Sequence, residues 1–247
     1  MATTSIQLLE TAAPEPSRIL QLYEHLELFS LGEPPTHTLF ILGRAPLSVA
    51  NAIPDQLLLV DPPLDAKQRF QLPANTAVLF TGSAQAIDLP LVETIPGGVA
   101  HLRIGPHFVD VYSQRNSTLI YLPAVGILCG GCFASDVGLP VLVAGSDGSE
   151  ELETLRLLAR LVKASRLQFY LPQVGSYSQD KFVVINRLAA DVAYLHNLRR
   201  VLPALAQRSD DLATAHSLAA SLLPVDRQTP LAQRINSRNV EILRLMI

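Results

Sequence analysis

The chain has 247 residues, 49% of them hydrophobic and 17% charged, which is enough apolar material for one large core and too little charge for disorder. Nineteen basic residues against 22 acidic ones leave a net charge of -3, and no stretch gathers Lys or Arg into a stripe that could track phosphates, which argues against a nucleic-acid partner. No Gly/Ser linker, charge block or internal repeat divides the sequence, so it reads as a single domain over residues 1–247, with an N-terminal segment at 1–36 and C-terminal helices at 208–247.

Residues 1–10 have no basic residue ahead of their short apolar stretch and no small-residue cleavage site, so they do not read as a signal peptide and a cytoplasmic location is expected. The first strand signals come at 38–42 and 56–60, apolar runs bounded by Pro, Gly, Asn and Asp. The second run ends in Asp61-Pro62-Pro63, where two prolines forbid further ladder donors and force a turn. A third strand is read at 77–81 and breaks at Gly82. After Pro96-Gly97-Gly98 the pattern predicts an antiparallel meander of short strands at 100–104, 108–112, 117–122 and 126–129, with hairpin-length turns at Gly105-Pro106 and Pro123-Ala124-Val125-Gly126. No run approaches the roughly 18 apolar residues needed to span a bilayer, so no membrane partner is expected.

Helix signals begin at Asp147, a candidate cap, with Glu150, Glu151 and Glu153 complementing the helix dipole. The stripe Leu152, Leu155, Leu158, Leu161 and Val162 that follows must pack on a sheet. A strand at 167–171 precedes a long amphipathic helix at 180–205, marked by Val184, Leu188, Val192, Leu195, Leu198 and Leu202. Two more helices are read at 210–223 and from Thr229-Pro230, a capping residue followed by proline at its favoured first position. Strands first, then mixed strands and helices, predict a layered α/β protein rather than a helical bundle.

From Thr38 onward, the order of these segments resembles the metallo-β-lactamase fold. Leu58-Leu59-Val60-Asp61-Pro62 is similar to that family's strand ending in an aspartate, and Leu79-Phe80-Thr81 to the strand leading into its signature His-x-His-x-Asp-His loop. Here the loop reads Gly82-Ser83-Ala84-Gln85-Ala86-Ile87, which leaves Gly82, Ala84, Ala86 and Ile87 where the family carries ligands. Ser113 falls where the next histidine is expected, Gly131 replaces the bridging aspartate, and Val174 in Pro172-Gln173-Val174-Gly175 replaces the last histidine. The resemblance implies an α/β (α+β) four-layer αββα sandwich, and in the family a dinuclear metal site built from imidazoles and carboxylates. These positions offer only one poor donor, Ser113, so the expectation is an eroded site with no metal, no cofactor and no metal-dependent hydrolysis.

Six histidines, His25, His37, His101, His107, His196 and His216, show neither the i, i+2 nor the i, i+4 spacing of metal sites, although His101 and His107 flank one hairpin and could meet. Cys129-Gly130-Gly131-Cys132 could be a redox pair or half a zinc site, but no second pair and no thioredoxin-like context accompany it. Buried strand-end thiols, with glycines that let backbone approach closely, are the expected reading, and two cysteines suit a reducing compartment. Ser83, Ser113, Ser135 and Ser146 lack a nucleophile elbow, and Asp88 and Asp136 read as turn residues. The expected function is a noncatalytic binding or assembly module for an unidentified ligand or protein partner. The alternatives are a hydrolase with a different site, or a thiol/redox protein using Cys129 and Cys132. The apolar end at 242–247 calls for cover and leads us to expect a homodimer.

Overall fold

Short apolar runs punctuated by Pro, Gly and Asp assemble into two five-stranded sheets in the computed structural model, which describes residues 17–43, 56–83, 85–206 and 212–246. The first sheet contains β1 (Ser17–Tyr23), β2 (Leu26–Leu31), β3 (Thr36–Gly43), β4 (Gln56–Val60) and β5 (Asn75–Leu79), in sequence order, with the short helix α1 (Ala66–Arg69) between β4 and β5. The second contains β6 (Val99–Ile104), β7 (His107–Ser113), β8 (Thr118–Leu122), β9 (Ile127–Gly131) and β10 (Phe169–Pro172), ordered β10-β9-β8-β7-β6. Each sheet has one parallel pair, β4 with β5 and β10 with β9, and both pairs need the crossovers that the chain supplies between them. The remaining pairs are antiparallel, and the meander from β6 to β9 is as expected.

Helices α2 (Ser149–Ala164) and α3 (Lys181–Ala206) cover the outer face of the second sheet, with α4 (Leu212–Ala220) and α5 (Pro230–Arg244) packed beyond them. The stripe on α2 does pack there: Leu152, Leu155, Leu158 and Val162 join Leu119, Leu128 and Tyr170 of the sheet in one core. A second core fills the space between the sheets, with Leu39, Ile41 and Leu58 facing Val109, Val111 and Ile120. Among the described residues the outer face of the first sheet is covered by the four-residue α1 and by Phe70, whose ring meets Phe29 at 4.9 Å and Phe40 at 5.0 Å edge to face. The αββα layering therefore holds.

Two strands, β1 and β2, lie inside what the sequence reads as an N-terminal segment. Their turn runs through Glu24 and His25, with His25 at φ 65°, so the left-handed position carries no glycine to announce it. The cap of α2 also differs: Gly148 occupies the N-cap, and Asp147 acts one residue upstream, its Oδ1 accepting from the Ser149 amide at 3.0 Å. Thr229 caps α5 as expected, its hydroxyl accepting from the Ala232 amide at 3.1 Å. Of the apolar end that suggested a dimer, Ile242 and Leu243 are already buried in this chain's own core, while Leu245 and Met246 are exposed. Among the described residues no helix is long and apolar enough to cross a membrane.

A fully buried ion pair joins the helical layer to the loop after β9. Arg227 donates to Asp191 on α3 and to the carbonyls of Gly138 at 3.3 Å and Arg187 at 3.2 Å, and Asp191 also accepts from the Ala134 amide at 2.7 Å. Burial pushes the Asp191 carboxyl up to about 6, against the pull of the neighbouring guanidinium. Removing one partner leaves the other charged in a dry interior. Arg227→Met should therefore cost about 3–5 kcal/mol in urea denaturation, and the double variant Arg227→Met/Asp191→Leu should lose clearly less than that single change.

Candidate functional site

The C-terminal ends of β4, β5, β9 and β10 converge on one edge of the sandwich, because both parallel pairs run toward it. Backbone groups stitch the two sheets together there. The Thr118 amide at the start of β8 donates to the Thr81 carbonyl just after β5 at 2.8 Å, and the His37 amide on β3 donates to the Gln173 carbonyl at 2.9 Å. The Gly175 amide reaches the Pro35 carbonyl at 2.8 Å, and Thr36 and Val174 form an isolated antiparallel bridge.

Asp61 organises this edge. It follows β4 at φ 53°, and its carboxylate accepts from the Thr81 amide at 2.8 Å and the Thr81 hydroxyl at 2.5 Å. Burial pushes the Asp61 carboxyl up to about 6, while the two Thr81 hydrogen bonds pull it back. His37 is a buried imidazole in the same edge. Its Nε2 lies 2.5 Å from the Gly175 carbonyl and so carries the proton, which leaves Nδ1 to accept from Ser30 Oγ at 2.8 Å. Desolvation lowers its pKa and keeps the ring neutral.

The positions that the resemblance matches to metal ligands are scattered over this edge. Gly82 and Ser113 line one cavity, and Ser113 Oγ donates to Thr94 Oγ1 at 3.1 Å. Gly131, at φ 62°, packs on Thr81: a Cβ built there would stand 3.2 Å from Thr81 Oγ1 and 3.3 Å from the Thr81 carbonyl oxygen. Val174 is held in its bridge to Thr36, with its carbonyl accepting from Ser135 Oγ at 2.7 Å. Ile87 packs against the outer core of the first sheet, Ala86 is exposed, and Ala84 lies outside the described residues. Among the described residues no group of three or more His, Cys, Asp or Glu could hold a metal ion. A two-metal centre does not fit this donor set: position 131 has no donor, and a side chain there would crowd Thr81 by a few tenths of an ångström from a left-handed backbone.

Both thiols are free, Cys129 buried and Cys132 half-buried. Cys129 is buried between the sheets, and burial pushes its thiol far above the usual range, with the nearby Asp61 adding to the effect. Cys132 is raised to about 12, mainly by desolvation, although its sulfur accepts from the Val141 amide at 3.5 Å. The first of the two glycines between them has a packing role: a Cβ on Gly130 would stand 1.9 Å from the Tyr170 hydroxyl, which donates to the Phe133 carbonyl at 2.6 Å.

Several of the remaining candidates have structural partners, whereas the buried His107 Nε2 has none among the described residues. His101 pairs with Asp110 at 2.7 Å and does not meet His107, which is buried beside the turn at Glu24 and His25. Asp136 accepts from the Ser176 amide at 2.8 Å and Asp88 pairs with Lys67 at 2.6 Å, so both make contacts far along the chain beyond the turn role expected of them. Ser135 Oγ receives the amides of Val137 and Gly138, and Ser146 Oγ donates to buried Glu151 at 2.6 Å. His196 is exposed on α3 and His216 half-buried on α4.

Asp61, Thr81, Thr94 and Arg115 hold positions here that their residue types alone do not announce. For Asp61 the sequence carried a signal, an acid closing an apolar strand ahead of two prolines. Beside the stitched edge lies a cavity of about 260 Å³ whose walls include Leu79, Leu91, Val92, Thr94, Ser113 and Arg115.

Two outcomes follow from these environments. A folded-state pKa of about 6 lies above the ordinary value of 3.8, so the Asp61 contribution is most favourable at acid pH and is lost as pH rises through about 6. Asp61→Asn cannot ionise, so denaturation midpoints should shift in its favour relative to the parent between about pH 4 and about pH 8; a difference independent of pH would refute the assignment. Cys129 and Cys132 should react slowly with a thiol reagent in the native protein and rapidly after unfolding, and fast native labelling would show an accessible thiolate.

No protein-family model matches the sequence, and no curated protein matches it either. Solved structures are similar in fold. A stereoselective inverting sec-alkylsulfatase from Pseudomonas sp. superposes with a TM-score of 0.61 at 12% identity, covering 91% of this chain and 49% of that one, so the chain spans about half its length. A β-lactamase domain protein from Burkholderia ambifaria gives a TM-score of 0.55 at 12% identity, covering 92% of this chain and 88% of that one. At these identities the likeness establishes architecture, and the two mixed sheets with flanking helices agree with it: the chain has the metallo-β-lactamase fold.

Proposed function

We propose that this chain is a noncatalytic protein of the metallo-β-lactamase fold, a binding or assembly module in place of a metal-dependent hydrolase. The observation that carries this reading is the packing of Gly131 on Thr81, within 3.2 Å of any added Cβ, at the position the resemblance matches to a bridging ligand. Catalytic zinc needs about three protein ligands and an open position where bound water is acidified to a pKa near 7. Gly82, Ala86, Ile87, Gly131 and Val174 supply no side-chain donor, and backbone bonds between the sheets flank Gly131 and Val174. The thiol alternative has less support, since the environments of both cysteines disfavour the thiolate.

The two free thiols suit a reducing compartment, and the cytoplasm is the location we propose. Exposed Leu245 and Met246 at the end of α5 are the remaining argument for a homodimer.

The purified, dialysed protein should retain well under one equivalent of zinc, iron or manganese. It should show no hydrolysis of lactams, thioesters, phosphodiesters or alkyl sulfates above buffer. One or more equivalents of tightly held metal, together with hydrolysis that a chelator abolishes, would overturn the proposal and restore a hydrolase.

A further inference from the structure

We propose that the cavity beside Gly82 and Ser113 binds a small organic carboxylate with a short apolar tail, the carboxylate resting on Arg115. This inference rests on the binding-module reading and names the ligand class for it. The cavity lies between the end of β5, the segment at 91–96 and the β7–β8 turn, to one side of the stitched edge.

Its chemistry is two-sided. Leu79, Phe80, Leu91, Val92 and Val143 make an apolar wall, and Ser83, Thr94, Ser113 and Asn116 supply polar groups. Arg115 is the only charged residue among the described residues that line it. It spends Nη1 on Glu150 at 2.8 Å and leaves Nε and Nη2 without a partner among the described residues. A guanidinium with a free edge matches the two oxygens of a carboxylate. Thr94 adds a directed donor: its oxygen accepts from Ser113, so its own hydroxyl proton is available to an acceptor in the cavity.

Charge and size narrow the class further. A cation finds no lining acid, and a dianion such as a phosphate ester would meet a single guanidinium already neutralised by Glu150. A volume of about 260 Å³ is that of about nine waters in the liquid, room for a ligand of roughly eight or nine non-hydrogen atoms. Because Arg115 is 79% exposed, the ion pair stays screened and the affinity should be modest, with a Kd on the order of 1 mM.

Calorimetric titration with sodium hexanoate, hexanamide and hexylamine tests the proposal on the whole protein. Hexanoate should bind saturably at one site, and the amide and the amine about three- to fivefold more weakly. Arg115→Gln, a surface change that leaves the core untouched, should weaken hexanoate about three- to fivefold, whereas Arg238→Gln on α5 should not alter it. Val143→Trp, which fills the cavity, should abolish binding; should that variant unfold, the Arg115 comparison decides. Absent saturation, equal binding of the amide, or undiminished binding by Arg115→Gln would each overturn the inference. A metal-free, inactive protein that fails to bind hexanoate refutes this ligand alone. A metal-loaded hydrolase whose hexanoate binding still depends on Arg115 refutes the noncatalytic reading alone.

Discussion

The Asp61 carboxylate and the threonine it holds tie the two halves of the sandwich together. Asp61 leaves β4 in a left-handed turn, donates its amide to the Leu79 carbonyl at 3.0 Å, and accepts the Thr38 hydroxyl on its own carbonyl at 2.9 Å. One residue thereby joins the ends of β3, β4 and β5. Its carboxylate fixes Thr81, and Thr81 in turn receives the Thr118 amide and packs on Gly131, both from the second sheet. The cost of desolvating the acid is offset by hydrogen bonds to the charged form, which is why its pKa settles near 6 rather than higher.

A chain with the same cores and poorer ligands could still have kept an open cleft. Here the edge is closed by two separate devices. Gly131 accommodates Thr81, and the segment from Gln173 to Gly175 bonds to Pro35 and His37 across the sheets. The neutral His37 ring braces that contact by donating to the Gly175 carbonyl while accepting from Ser30, so both of its nitrogens are spent on structure. An imidazole so engaged has no lone pair to offer a metal ion.

Much of this architecture was legible from local chemistry. The strand at 56–60 and its stop at Asp61-Pro62 were read correctly, as were the stripe on α2 and the Thr229-Pro230 start of α5, because each depends on neighbours in sequence. Strands β1 and β2 escaped because their turn uses His25 in place of glycine, and β1 is a half-exposed edge whose alternation is weak. At the candidate site, the missing donors could be read from residue types alone. The cavity could not, since Leu91, Thr94 and Arg115 come from loops whose meeting depends on the two sheets being joined. Asp191 and Arg227 were invisible for the same reason: 36 residues separate the partners, and only the packing of α3 against the last segment buries them.

The closed edge and the neighbouring cavity are connected by the same residues. Thr118 lines the cavity and donates to Thr81, while Ser113 precedes the turn and donates its hydroxyl to Thr94, also of the lining. Joining the sheets at Thr81 therefore fixes one wall of the cavity relative to the other. A site held by backbone hydrogen bonds in this way is preorganised for a ligand that needs placement and no chemistry, because little ordering remains to be done on binding. Arg115 is the exception, an exposed side chain on a turn that must surrender rotamer freedom when it closes on an anion. Its standing bond to Glu150 already removes part of that freedom, so Glu150, which neutralises the arginine, also helps to hold it at the cavity mouth.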